Sequence, residues 1–409
     1  MIFYINTIAI LFYLSTVTFF LIKFNRYFIF YIQLLFTTTW MLVSVYYHDS
    51  ISFYNFETFL TSYPTYTTNI VAWMLISFLL GSIFVFSFME RLNFKSIELK
   101  QYISIRDILF FILIVVVLNN LIILNYLDYE KSKILSMHPM FRFFAYYAIF
   151  SMIAGIGYYY YSYKRLSIFI LFCLILFGFL HGAKFTYFME TLIPFYIPYM
   201  IKNTIKIPFK IKYVLYATLI VVLILSFALF KYSYYDISNL QSGMEVLKFR
   251  LFGGQGGLAW ASISSNIHDF SHITSEANKI IDTKIDSNTV GLKYLMHQLN
   301  IPDTIFERGY LLTMGFQASL YHMFGVPLSL FYSLIFGIVN AINVIYIYRA
   351  VEKYHFLRAI IAFSIFISLE TVLFTGNFYV FFTFGLLVKL LILFAVESYT
   401  NKTNKLELI

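Results

Sequence analysis

The sequence predicts an all-α fold: a polytopic membrane helix bundle of about 11 transmembrane helices with a large helical external loop. Three observations predict it. Of the 409 residues, 60% are hydrophobic and 12% charged, with a mean hydropathy of +0.77, far outside the range of a soluble globular domain. The apolar residues form continuous stretches instead of alternating ones, so helices rather than barrel strands satisfy the backbone in hydrocarbon. One long polar segment, 231–325, interrupts them.

The stretches cover 2–22, 27–46, 69–89, 108–127, 143–161, 166–180, 185–201 and 213–230, then 326–348, 356–374 and 378–396. Most reach the ~20 residues that cross ~30 Å of hydrocarbon. The chain therefore divides into 1–230 with the first eight membrane helices, 231–325 as an external loop or cap, and 326–409 with the last three helices and a tail. No Lys or Arg precedes Lys23 and no small-residue cleavage site follows the first stretch, so it is expected to remain a membrane helix. With Cys173 as the single cysteine an internal disulfide is excluded, and no Cys/His cluster has zinc-ligand spacing. Neither a metal nor a cofactor is expected.

Cations set the orientation. Lys23 and Arg26, then Arg91, Lys95, Lys100 and Arg106, then Lys164 and Arg165, fall on one side by parity, as do Lys202 to Lys212 and Arg349 to Arg358. That side is the cytoplasm by the positive-inside rule, which puts the amino terminus outside and the carboxyl terminus inside. The net charge of +9 is mostly this bias, so no nucleic-acid partner is implied.

The 231–325 segment falls outside on the same count and is close to neutral. Aromatic and aliphatic residues persist along it, which predicts a structured cap in place of a disordered loop. Asp236 or Ser242 is placed to start one short helix through Leu251, and Ser287 another through Leu295. Residues 310–324 are apolar enough to lie in the interface or re-enter the bilayer.

The densest candidate site is Lys248-Phe249-Arg250-Leu251-Phe252-Gly253-Gly254-Gln255-Gly256-Gly257, with Trp260 just beyond. Glycines let consecutive backbone N–H groups approach an anion, and a neighbouring Arg adds a forked, permanent charge for phosphate oxygens. The alternative is a turn between helices with Arg250 snorkelling to headgroups. The spacing is neither Walker nor Rossmann, so no nucleotide follows. A second constellation, His181-Gly182-Ala183-Lys184, puts a His and a Lys three apart at a short external turn, where they face a lipid phosphate or simply anchor the helix end. Arg308 with Glu307 and Tyr310 opens a further amphipathic stretch that holds Tyr321 and His322; a local ion pair and a structural histidine are the plain readings. Asp128 and Glu130 form a D-x-E in an external loop, read as metal or acid–base carboxylates or as a solvated pair. Lys389 lies within snorkelling reach of the cytoplasm, Glu370 near the outer end of its helix, and Asn119, Asn120, Asn340 and Asn343 are expected to hydrogen-bond between helices.

Over its full length the chain resembles the Wzy-type O-antigen polymerases, the oligosaccharide repeat-unit polymerases of bacterial inner membranes. The resemblance rests on the helix number, the large loop before the final three helices, and the Phe, Tyr and Ile content. Local echoes are HGAKFTYFMETLIPFY at 181–196, KFRLFGGQGGLAW at 248–260 and GYLLTMGFQASLYHMFGVPLSLFYSLIFG at 309–337. Lys184 stands where Arg is commoner in the family. The related ligases carry a His-Asn pair roughly where Gly315 and Phe316 stand here, which favours polymerase over ligase.

The resemblance implies transfer of a glycan from undecaprenyl pyrophosphate to a sugar hydroxyl of another lipid-linked repeat unit, at the periplasmic face, with inversion and without a metal or cofactor. It makes the external loop periplasmic. Implied partners are the undecaprenyl-pyrophosphate-linked oligosaccharide, membrane lipids, a chain-length regulator and a flippase. Pyrophosphate is a good leaving group, so the main demand is charge stabilisation and alignment of the acceptor. Arg250 and Lys184 become the pyrophosphate clamps and Arg308 a third cation. His181 or His322 is the acceptor-side base. Gly254, Gln255 and Gly256 line the substrate, with Trp260 and Tyr310 stacking on sugar rings. Two rivals stay open: a lipid-linked oligosaccharide flippase, which needs a polar cavity inside the bundle, and another membrane glycosyl or acyl transferase using Asp128 and Glu130.

Overall fold

The computed structural model describes residues 1–52, 54–55, 60–89, 104–126, 138–181, 185–203, 256–266, 268, 298–299, 315–376, 378, 381 and 383–407. Their helices are α1 (Ile2–Lys23), α2 (Phe28–Ser50), α3 (Thr67–Met89), α4 (Ile105–Ile123), α5 (Tyr147–Tyr159), α6 (Lys164–His181) and α7 (Phe185–Lys202). Then follow α8 (Gly257–Ser264), α9 (Gly315–Glu352), α10 (Phe356–Thr375) and α11 (Phe384–Glu407). The fold is all-α apart from two-residue strands, β1 (Tyr54–Asn55) and β2 (Leu60–Thr61), paired antiparallel in the α2–α3 connection.

Among the described residues, six helical spans are long and apolar enough to cross a membrane: Ile2–Lys23, Asn25–Ser50, Thr67–Met89, Ile105–Tyr126, Gly315–Glu352 and Phe356–Thr375. They are compatible with a multi-pass membrane protein. Of the stretches expected to span, 213–230 lies outside the described residues, and 143–161 starts as a 3-10 helix, Pro139–Tyr146, before α5 begins. Helix α1 shows how such segments tolerate hydroxyls. Thr7, Ser15, Thr16 and Thr18 each donate to the carbonyl four residues back, at 2.8–2.9 Å, while Leu11, Phe12 and Phe19 stay exposed. These four hydroxyls are thus satisfied within the helix, as an apolar solvent demands.

The centre of the bundle is the pairing of α3 with the 326–352 part of α9. The two run parallel and touch backbone to backbone. A Cβ on Gly337 would collide with the Phe78 carbonyl, and one on Gly81 with the Leu334 carbonyl. Close approach lets Tyr31 of α2 donate to Ser82 at 3.1 Å while Ser82 donates to the Gly337 carbonyl at 3.1 Å. Toward the other end Arg349 donates to the Met89 carbonyl at 2.8 Å. Small residues at a tight crossing, joined by hydroxyl bonds, are what holds helices together where lipid tails compete for apolar contact. The same device joins α5 to α7, where Gly155 abuts the Phe195 backbone and Ser151 donates to the Thr191 carbonyl. Of the asparagines expected to bond between helices, Asn120 donates to the Cys173 carbonyl of α6 at 2.9 Å and Asn343 to the Ala362 carbonyl of α10 at 3.3 Å. Lys389 departs from its expected snorkelling: its ammonium donates to the Ser364 carbonyl and to Ser368 Oγ of α10, at 3.1 and 2.9 Å. Backbone and hydroxyl acceptors closer than the water interface capture it.

Two pieces of the long polar segment enter this bundle. Helix α8 lies beside the end of α2, in parallel: Gly256 meets Ser44, Trp260 meets His48 and Asp49, and Ser264 faces Tyr63. Residues 315–324 form a helix of their own, and the chain turns at Gly325 (φ 66°, ψ −173°), a conformation open to glycine, before Pro327 starts the long part of α9. This first part is antiparallel to the second: Phe316 reaches Phe78 and Phe336, while Tyr321, near the other end, donates to Asn266 at 2.7 Å. Its start therefore lies about 13 Å below the Gly325 turn, at 1.5 Å per residue. Residues 315–323 are all buried. The short helices expected from Asp236, Ser242 and Ser287 lie outside the described residues.

Gly337→Leu is expected to separate α3 from α9, lowering stability by about 2–4 kcal/mol and depressing the melting temperature in detergent. Gly385 has nothing within 4 Å of a would-be Cβ, so Gly385→Ala should leave the same melting curve unchanged.

Candidate functional site

Where α2 ends and α3 begins, Asp49 gathers donors from four places in the chain. Its Oδ2 accepts from the Thr68 backbone N–H at 2.7 Å, Thr68 Oγ1 at 2.6 Å and Asn6 Nδ2 at 3.2 Å. Its Oδ1 accepts from Trp260 Nε1 at 3.0 Å and from the Thr65 hydroxyl. The carboxylate sits over the first turn of α3, where a negative charge is favoured by the helix dipole and an orphan N–H needs an acceptor. Five donors fill the acceptor capacity of one carboxylate. Asp49 is accordingly an anchor and not a general base.

Trp260 is the far end of that anchor. Its ring is 2% exposed, stacked on His48 at 5.4 Å with planes 15° apart, and met edge-on by Tyr63 at 5.3 Å. The ring expected to stack on a sugar is engaged inside the protein. One turn earlier, Gly256 donates its N–H to Ser44 Oγ at 2.9 Å, and a Cβ there would lie 2.7 Å from the Val45 nitrogen and 2.8 Å from the Met41 oxygen. Glycine at 256 thus lets α8 press its start against the backbone of α2.

Met41 also borders the start of residues 315–324. Gly315, at φ 71°, has room for a Cβ only 2.8 Å from the Met41 sulfur and 2.7 Å from Gln317 Oε1. On its other side stands Gly376, the left-handed cap of α10, whose carbonyl accepts from Ser319 Oγ at 2.7 Å. Two helix starts, drawn from regions about sixty residues apart in the chain, hence meet around one residue of α2. Gln317 is fully buried at the second of them, and neither its amide oxygen nor its nitrogen has a hydrogen-bond partner among the described residues. Leaving an amide so costs about 1–3 kcal/mol, an expense that a polar guest at this point would remove.

Among the sequence-expected residues, Gly256 and Trp260 come together here, and His322 lies on the 315–324 helix, fully buried. His181 ends α6. Arg250, Lys184, Arg308, Gly254, Gln255 and Tyr310 lie outside the described residues, as do Asp128 and Glu130. Sequence reasoning missed Asp49, whose signal was a carboxylate at the end of an apolar stretch followed by the Thr-rich 61–68 run. It also missed His268, which is exposed, contacts the Tyr321 ring at 5.0 Å and places Nδ1 3.1 Å from the Tyr321 carbonyl, beside the Gly325 turn. Among the described residues no group of three or more His, Cys, Asp or Glu side chains is arranged to hold a metal ion.

The model of a family of unknown function (DUF6418) matches residues 286–390, which take in α9 and α10 and the start of α11. No curated protein matches the chain, and no solved structure does.

Asp49→Ala would leave Trp260 Nε1 and the Thr68 N–H without their acceptor, and Asn6 with the Thr65 carbonyl alone. It should cost about 2–4 kcal/mol, read as a lowered melting temperature in detergent with a red-shifted tryptophan emission, whereas Trp260→Phe should lose less.

Proposed function

We propose that the chain is an oligosaccharide repeat-unit polymerase of the Wzy type. In this reading it lies in a bacterial inner membrane with its amino terminus periplasmic and its carboxyl terminus cytoplasmic. It moves a growing glycan from undecaprenyl pyrophosphate to a sugar hydroxyl of a second lipid-linked unit. The observation that carries the reading is the meeting of two buried helix starts, Gly256 and Gly315, at Met41. Each belongs to one of the stretches on which the resemblance rests, 248–260 and 309–337. Helix starts carry partial positive charge, worth most where water is scarce, so they favour the diphosphate that the reaction must stabilise.

Arg250, six residues before Gly256, and Arg308, seven before Gly315, supply the full charges in this reading, with Lys184 as the third cation. Trp260 holds α8 in place through Asp49, so sugar stacking falls to Tyr310. His268 joins His181 and His322 as an acceptor-side base, with the advantage of exposure. The rival flippase reading gains support from one observation: Glu190 and Glu370 face a common pocket inside the bundle, as an ion-coupled carrier requires.

Purified protein in liposomes with its lipid-linked repeat unit should give a ladder of longer chains without nucleotide or metal. Arg250→Ala should lower chain growth by at least about a hundredfold, the scale of losing one transition-state charge contact, while still accumulating in the membrane. Normal ladders from that variant would remove the site, and no ladder from the native protein, with movement of the unit between leaflets instead, would favour the flippase.

A further inference from the structure

A narrow pocket between α2, α7 and α10 is lined by two carboxylates and one amide among apolar side chains such as Ile193, Pro194, Phe363 and Phe366. Glu190 of α7 accepts from Gln33 Nε2 of α2 at 2.9 Å. Glu370 of α10 is 7% exposed and accepts no hydrogen bond from any described residue. The lining holds no Lys, Arg or His.

The cations on the described elements around the pocket do not line it either. On α2, the buried Tyr31 spends its hydroxyl on Ser82. On α9 the amide of Asn343 donates to the Ala362 carbonyl of α10. Tyr158 and Tyr159 of α5 meet the Phe195 ring of α7, tilted and edge-on, at 5.7 Å. Lys389 of α11 touches Ser368, two positions before Glu370 and so on another face of α10. Arg358 stands three turns away along the same helix.

Two carboxylates facing one apolar space, with no cation among the described residues lining it, cannot both hold a charge at tolerable cost. We propose that Glu370, opposed by Glu190 across the pocket, is an exchangeable proton-binding site inside the membrane bundle. The inference stands apart from the transferase reading, since its pocket is lined by α2, α7 and α10 and not by the two inserted helix starts, and it needs no glycan. The site is read as binding a proton rather than a metal cation, because two carboxylates and one amide offer at most five oxygens among apolar walls, short of a hard cation's shell of about six or more.

Dicyclohexylcarbodiimide, which attacks carboxyls in their protonated form in apolar surroundings, should label the native protein on Glu370 at neutral pH, as read by peptide mass, and less as the pH is raised. Glu370→Gln should abolish the adduct. Glu190→Gln removes the opposing negative charge, so the pH at which Glu370 labelling falls away should move downward. Infrared spectra give a readout that needs no reagent access: the protonated-carboxyl band of the native protein should be missing from Glu370→Gln. If that band is unchanged and Glu370 takes no label at any pH, the proposal fails. Protection that follows sodium concentration and ignores pH would overturn it as well, by identifying a metal-cation site.

Discussion

A single carboxylate organises one end of this bundle. Asp49 joins α1 through Asn6, α3 through Thr68, the connection between α2 and α3 through Thr65, and α8 through Trp260. A charge so deep is tolerable only because every lone pair has a donor. The same requirement works in reverse on the rest of the chain. Trp260 is drawn down beside α2 because its indole N–H needs a buried acceptor, and Gly256 follows because only a glycine can lie against the α2 backbone there. The polar segment that composition alone sets outside the membrane helices is therefore stitched into them at this point.

The 315–324 helix enters by a different route with a similar result. Gly325 reverses the chain at one end, and Gly315 lets the other approach Met41 and the cap of α10. Irregular backbone at membrane depth survives only where protein surrounds it, and here it is surrounded by α2, α3, α10 and the second part of α9. Both inserted helices begin at depth and end near the α2–α3 connection, so their positive ends point the same way, into the bundle. That shared direction is what makes the region suited to an anion, and it is a property of the pair that neither helix has alone.

How much of this is legible in the sequence depends on range. The long helices are legible because each is one uninterrupted apolar run, and α1 ends within a residue of its expected limit. Helix α2 runs on to Ser50, past the expected 46, because His48 and Asp49 are buried and paired, which polarity alone cannot anticipate. The 315–324 helix shows in the sequence as an apolar stretch with two possible settings, interface or re-entry, and only the glycines at each end fix its direction. Gly256 and Trp260 stand out in the sequence, but for a phosphate cradle and a sugar platform; their contacts with Ser44 and Asp49 join positions more than two hundred residues apart, beyond any spacing rule. Glu190 is hidden in the same way, since its partner Gln33 lies 157 residues away.

The most direct test of the central claim, that part of the polar segment is held inside the helix bundle by Asp49, is side-chain accessibility along α8. With Cys173, the single native cysteine, replaced by Ser, a cysteine at Ser262, fully buried, can be compared with one at Tyr63, which is 51% exposed. Under a membrane-impermeant maleimide, Ser262→Cys should stay unreacted in the native background while Tyr63→Cys reacts readily, and adding Asp49→Ala should open position 262. Equal reaction of both cysteines in the native background would mean that α8 lies outside the bundle, and the account would be wrong.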